Sequence, residues 1–137
     1  MEHRSQHTVT AILDGAPYTT RISAEGHDLL ADEPTDVGGA DLGPRPHDLL
    51  CASLAACTAI TLRMYAARKG WPHGSIRVTA ELDRTSANGK VESRFTLKVG
   101  LPEELDDDQR ARMLQIATHC PVHRTLENPI HLKAELT

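Results

Sequence analysis

The sequence predicts an α+β fold with antiparallel pairing, and three stretches carry that prediction. Residues 46–70, PHDLLCASLAACTAITLRMYAARKG, read as one long helix. Residues 76–83 and 91–99 alternate apolar and polar side chains on either side of Asn88-Gly89, the pattern of a β-hairpin. Residues 106–119 open on Asp106 and Gln109, a capping box, and carry apolar residues at helical spacing. Strands joined by hairpins rather than by regular βαβ crossovers indicate an antiparallel sheet. The predicted order is βββ-α-ββ-α-β.

Taken in order, His7 to Leu13 has β character and meets Asp14-Gly15, a hairpin signal, before a second extended run from Tyr18 to Ala24. Glu25-Gly26 turns the chain into a third strand, His27 to Asp32. Glu33 to Arg45, with Gly38-Gly39 and two prolines, reads as a loop that delivers the chain to the long helix. After Trp71-Pro72 comes the hairpin, with Ile76, Val78, Ala80 and Leu82 on one face and Phe95, Leu97 and Val99 answering them on the return strand. In the second helix Met113, Ile116, Ala117 and Cys120 face the core. Pro121 ends that helix and starts a new turn to Leu126, and Ile130 to Leu136 alternates like a final strand.

Pro46 suits a first helical position, Asp48 places negative charge in the first turn, and Arg68, Lys69 and Gly70 close the long helix. Leu49 to Ile60 is apolar or small at nearly every position, so this helix is expected to be buried on all sides. That run is shorter than the roughly 20 apolar residues a bilayer span needs, and Asp48 and Arg63 bound it, so the expected surroundings are protein rather than membrane lipid. The small residues Ala52, Ser53, Ala55, Ala56 and Ala59 admit a closely packed partner helix.

With 137 residues and no linker-like stretch or repeat, the chain is expected to form a single domain over 1–137. Only four aromatics (Tyr18, Tyr65, Trp71, Phe95) contribute to its core, which favours extra burial through a homodimer. A net charge of −4 with scattered lysine and arginine supplies no basic footprint for nucleic acid. The start, MEHRSQHTV, lacks the apolar core of a secretory signal, and a cytoplasmic location is expected. No phosphate-binding glycine loop, no G-x-S-x-G elbow and no H-E-x-x-H pair is present, so neither a nucleotide cofactor nor a metal is expected. His119, Cys120 and His123 match no zinc spacing.

The three cysteines, Cys51, Cys57 and Cys120, carry the remaining chemistry. Cys51 and Cys57 lie six residues apart, about 240° around a helix, and do not form a local pair. Cys57 in a small-residue helix reads equally as a core residue, since free cysteine is among the most buried types. Cys120, followed by proline at the start of a helical turn, reads either as a buried helix-end residue or as a thiolate favoured by backbone N–H groups aimed at its sulfur.

GPRPHDLLCASLAACTAITLRMYAARKGWP and, 63 positions after Cys57, HCPVHRTL resemble the OsmC/Ohr family of thiol-dependent peroxidases, through Gly43, Pro46, Leu49, Leu50, Ala52, Cys57, Cys120 and Pro121. The likeness covers essentially the whole chain and implies an intertwined homodimer whose central helices pack together, with a site at the subunit interface. It implies that Cys57 attacks an organic hydroperoxide and becomes a sulfenic acid, that Cys120 resolves it as a disulfide, and that a lipoyl-type or other dithiol is the reductant. Family hydroperoxide reductases carry a glutamate after the helix-opening proline; here His47 stands there, followed by Asp48. They also use an arginine of the N-terminal hairpin, for which Arg21 is the available residue. A buried thiolate needs a nearby cation, and Arg21, His47 and His123 are the candidates. The missing glutamate leaves open a second expectation, a non-catalytic redox sensor or a dimer binding small apolar ligands.

Overall fold

In a computed structural model, describing residues 2–137, the chain divides into two compact units, one ending at Leu49 and the other running from Leu50 to Thr137. The first unit is a three-stranded antiparallel meander in the order β1 (Val9–Ile12), β2 (Thr20–Ala24) and β3 (His27–Ala31). Glu25 and Gly26 both take positive φ, 50° and 84°, so a two-residue turn of the primed kind joins Ala24 to its partner His27. Asp14-Gly15 makes no such turn. Ile12 pairs with Arg21, which leaves a longer loop between β1 and β2, and the Asp14 carboxylate instead holds the Arg21 guanidinium at 3.0 Å.

The loop after β3 is organised by one buried carboxylate. Asp32 accepts from the Thr19 hydroxyl at 2.7 Å and from the N–H groups of Glu33, Leu42 and Ala40 at 2.8, 3.2 and 3.4 Å, and its own N–H donates to the Pro44 carbonyl at 3.0 Å. A 3₁₀ turn, Thr35–Val37, lies inside this loop. A Cβ at Gly39 would stand 1.9 Å from the Glu33 oxygen and one at Gly43 2.4 Å from the Leu30 oxygen, so these two positions admit only glycine without a backbone shift.

Helix α1 runs from Pro46 to Lys69. Its start is capped locally, since the Arg45 N–H donates to the Asp48 carboxylate at 3.0 Å while the Arg45 carbonyl accepts from Asp48 and Leu49. The expectation of burial on every side is corrected. One stripe at four-residue spacing, Leu54, Thr58, Leu62 and Ala66, is buried, while Leu50, Ile60 and Met64 stay 44 %, 60 % and 62 % exposed. A single hairpin and one further helix can cover only one side of a helix this long. The length argument against a membrane span also changes, because the whole helix of 24 residues is long and apolar enough to cross a membrane by length and composition. Its buried stripe nevertheless belongs to a protein core.

That core joins Leu62 and Ala66 to Leu105, Met113 and Ala117, with Tyr65, Trp71, Ile76, Val78, Val99, Leu101 and Ile116 packed around them. Strands β4 (Arg77–Ala87) and β5 (Lys90–Gly100) form the expected hairpin in full register from Arg77↔Gly100 to Ala87↔Lys90, closed by Asn88 and Gly89 at positive φ. Helix α2 (Asp107–Ala117) has both halves of its capping box: Gln109 N–H to Asp106 at 2.8 Å and Asp106 N–H to the Gln109 side chain at 3.0 Å. The turn after Pro121 is a short helix, α3 (Pro121–Glu127). The final strand of the predicted order is corrected too. Residues 129–137 form no strand, and Leu132 and Leu136 are fully or almost fully exposed. Alternation selects a face, but a strand also needs a neighbour with free N–H and C=O groups.

Candidate active site

Two cysteines meet where α1 passes the start of α3. The buried Thr58 stripe turns one side of α1 inward, and the neighbouring Cys57 sits half-buried at the edge of that face. Cys120, fully buried, is the extended residue that precedes Pro121, and this geometry aims the first N–H groups of α3 back toward it. The His123 N–H donates to the Cys120 sulfur at 3.2 Å, and the Thr58 hydroxyl stands 3.5 Å from the same sulfur. Cys57 shares the cluster. Burial pushes its thiol above the ordinary cysteine range; the Val122 N–H, hydrogen-bonded to it, pulls the other way, the adjacent Cys120 thiol raises it further, and the Thr61 hydroxyl lowers it. The Cys120 sulfur thus has one backbone N–H from α3 and one threonine hydroxyl from α1.

Cys51, half-buried, is also a free thiol. The His123 ring pairs with the Glu127 carboxylate, 2.7 Å from its Nε2. Together with Leu54, Phe95, Leu97 and Leu126 these two residues line a cavity of about 200 Å³, apolar except for that pair. Among the described residues no three His, Cys, Asp or Glu side chains converge as metal ligands.

Cys57, Cys120 and His123 are thus brought together in the second unit. Arg21, His47 and Asp48 belong to the first and have their own surroundings. Arg21 is paired with Asp14 and lines a cavity of about 260 Å³ on the sheet with Ile12, Ile22, Leu29 and Leu30. His47 is exposed in the first turn of α1, and Asp48 is engaged in capping that turn, with Arg45 3.9 Å away. Sequence reasoning passed over Thr58 and Thr61. The available signal was two hydroxyls, one residue and one helical turn after Cys57, in an otherwise apolar run. It also passed over Asp32, whose role depends on N–H groups that only the folded loop gathers.

The OsmC-like protein family model matches residues 38–135. Among solved structures, the chain resembles the OsmC-like protein of Mycoplasma pneumoniae (18 % identity, 91 % of this chain and 89 % of that one, TM-score 0.79). It also resembles an organic hydroperoxide resistance protein, OsmC, of Legionella pneumophila (17 %, 91 % of each chain, TM-score 0.70) and the organic hydroperoxide resistance protein OhrB of Bacillus subtilis (20 %, 88 % and 90 %, TM-score 0.65). No curated protein matches the chain.

Proposed function

The chain belongs to the OsmC-like family, and from that premise we propose that it is a thiol-dependent peroxidase that reduces organic hydroperoxides through Cys57 and Cys120. The observation that carries the reading is the contact of two thiols 63 positions apart in sequence, both supplied with hydrogen-bond donors by α3. The solved neighbours named for organic hydroperoxide resistance support the choice of substrate class.

In the first step the Cys57 thiolate attacks the O–O bond; sulfur is oxidised to sulfenic acid, and the departing alkoxide takes a proton and leaves as an alcohol. In the second, the Cys120 sulfur attacks the sulfenic sulfur, a disulfide forms, and water carries away the hydroxyl and the Cys120 proton. A dithiol of the lipoyl type then reduces the disulfide by exchange. The reading takes residues 1–137 as one domain, since the family match crosses the division at Leu49, and places the enzyme in the cytoplasm. It works as a homodimer, because the exposed face of α1, formed by Leu50, Ser53, Ala56, Ile60, Met64 and Ala67, is apolar and small along its whole length. Arg21 activates Cys57 in the dimer, with His47 as the alternative cation.

The roles are tested by a peroxide assay on two variants. Cys57→Ser abolishes consumption, whereas Cys120→Ser consumes about one equivalent and accumulates a trappable sulfenic acid on Cys57. Sulfenic acid on Cys120 instead reverses the roles. Arg21→Ala slows the first step severalfold and leaves disulfide reduction nearly unchanged; unaltered kinetics would remove Arg21 from the mechanism.

Two observations favour a second reading, a redox sensor or small-ligand binder without turnover. Burial raises the Cys57 thiol, and Arg21 is already paired with Asp14. A protein that forms the disulfide once but does not cycle with any dithiol or thioredoxin-type reductant would select it.

A further inference from the structure

The Thr58 hydroxyl faces two acceptors with one proton. Its Oγ1 lies 2.8 Å from the Leu54 carbonyl oxygen, one helical turn back, and 3.5 Å from the Cys120 sulfur, and the residue is wholly buried. Bonding back to the i−4 carbonyl is the ordinary resting place of a helical threonine. While the proton is there, the hydroxyl oxygen can accept the S–H of a neutral Cys120. Once Cys120 is a thiolate, rotation about the Cβ–Oγ1 bond turns the proton to the sulfur, and the Leu54 carbonyl keeps its helical N–H.

Resting on the peroxidase reading, we infer that Thr58 is the positioning residue for resolution, holding Cys120 in the charged form in which it attacks the oxidised Cys57. The need for such a group follows from burial. Cys120 is 0 % exposed, so water cannot solvate its negative charge, and its direct donors are the His123 N–H and the Thr58 hydroxyl. The titratable groups beside it are Cys57 on α1, His119 just before it, and His123 on α3, whose ring is turned to Glu127. Strand β5 brings only Phe95 and Leu97 to the cavity next door. No cation on these elements is aimed at the sulfur, so the hydroxyl is the side-chain donor left to stabilise the charge. In the step it serves, the Cys120 thiolate attacks the sulfenic sulfur of Cys57; the S–S bond forms, the S–O bond breaks, and the departing hydroxide takes up the proton that Cys120 released on ionising and leaves as water. The threonine is unchanged at the end.

The test is a pH titration of thiolate absorbance in a Cys51→Ala, Cys57→Ala protein, where Cys120 is the sole cysteine, with Thr58 intact, Thr58→Val and Thr58→Ser. Thr58→Val keeps the volume and is expected to move the midpoint upward, lowering the thiolate fraction at a given pH by about tenfold or more, the scale of one hydrogen bond to a charged group. Thr58→Ser is expected to restore it. An unmoved midpoint in Thr58→Val, or a Thr58→Ser protein that behaves like the valine variant, overturns the inference. If Thr58→Val does not fold, Thr58→Ala against Thr58→Ser decides in the same way. This titration needs no peroxide, so it stands or falls independently of the peroxidase reading, which fails by itself if Cys57→Ser still turns over. With all cysteines present, Thr58→Val is further expected to slow disulfide formation about tenfold and to let sulfenic acid accumulate on Cys57.

Discussion

The Thr19 hydroxyl donates to the buried Asp32 carboxylate at 2.7 Å, tying the start of β2 to the loop that leads into α1. The Thr19 bond is the largest influence on that carboxyl and lowers its pKa below the ordinary aspartate range; burial opposes it, and the N–H groups of Glu33, Leu42 and Ala40 add to the lowering. A carboxyl depressed in the folded state stabilises the fold above its unfolded pKa of about 3.9, and that contribution is lost as pH falls through the lower folded value. Acid unfolding of the parent is therefore expected to be steeper below about pH 4 than that of Asp32→Asn, which should already melt several degrees lower at neutral pH. Superimposable pH–stability curves for the two proteins would refute this role.

Gly43→Ala is expected to destabilise the protein by about 1–3 kcal/mol, the range for a forced overpacking, because the new methyl meets the Leu30 carbonyl oxygen at 2.4 Å. Gly15→Ala, with nothing within 4 Å of the added carbon, is the control. Denaturant midpoints compare them. Equal midpoints would show that the backbone shifts freely at Gly43.

Mild oxidation with peroxide is expected to join Cys57 to Cys120 within one chain and leave Cys51 free, as read by peptide mapping. Cross-linking a loop of this length restricts the unfolded chain by about 4 kcal/mol in the entropy model, so the oxidised form should have the higher Tm. Cys51 in the major disulfide would count against the pairing, and a lower Tm would mark the bond as strained and easily reduced.

A second copy on the exposed face of α1 predicts sedimentation as a dimer at micromolar concentration, and Ile60→Glu, at a residue 60 % exposed in the single chain, should shift it toward monomer without unfolding it. A parent protein that runs as a 15.0 kDa species would remove the dimer from the mechanism.

Most of the secondary structure was legible in the residues because each signal was local. Asn88-Gly89 announces a primed turn whatever surrounds it, Asp106 and Gln109 cap a helix from within four residues, and the alternation from Ile76 to Leu82 states which face is apolar. The final strand was misread for the complementary reason: Ile130 to Leu136 alternates as a strand does, but its partner cannot be written in its own residues. The site divided in the same way. Cys57 and Cys120 stand in motifs that make them candidates, while Thr58 and Thr61 look like two more small residues of an apolar helix.

By itself, the sequence determined the turns at Glu25-Gly26 and Asn88-Gly89, the helix ends and the apolar face of the second hairpin, since these depend on backbone preferences and on side chains a few residues apart. Only the tertiary structure decided which side of α1 is buried, that Cys57 and Cys120 meet across 63 residues, and that Thr58 rather than a histidine ring faces the Cys120 sulfur. It also decided that Asp32 gathers a hydroxyl and three N–H groups into one loop. Such contacts join residues distant in the chain, and hydrogen bonds at 2.7 to 3.5 Å exist only after the core has fixed how the elements pack.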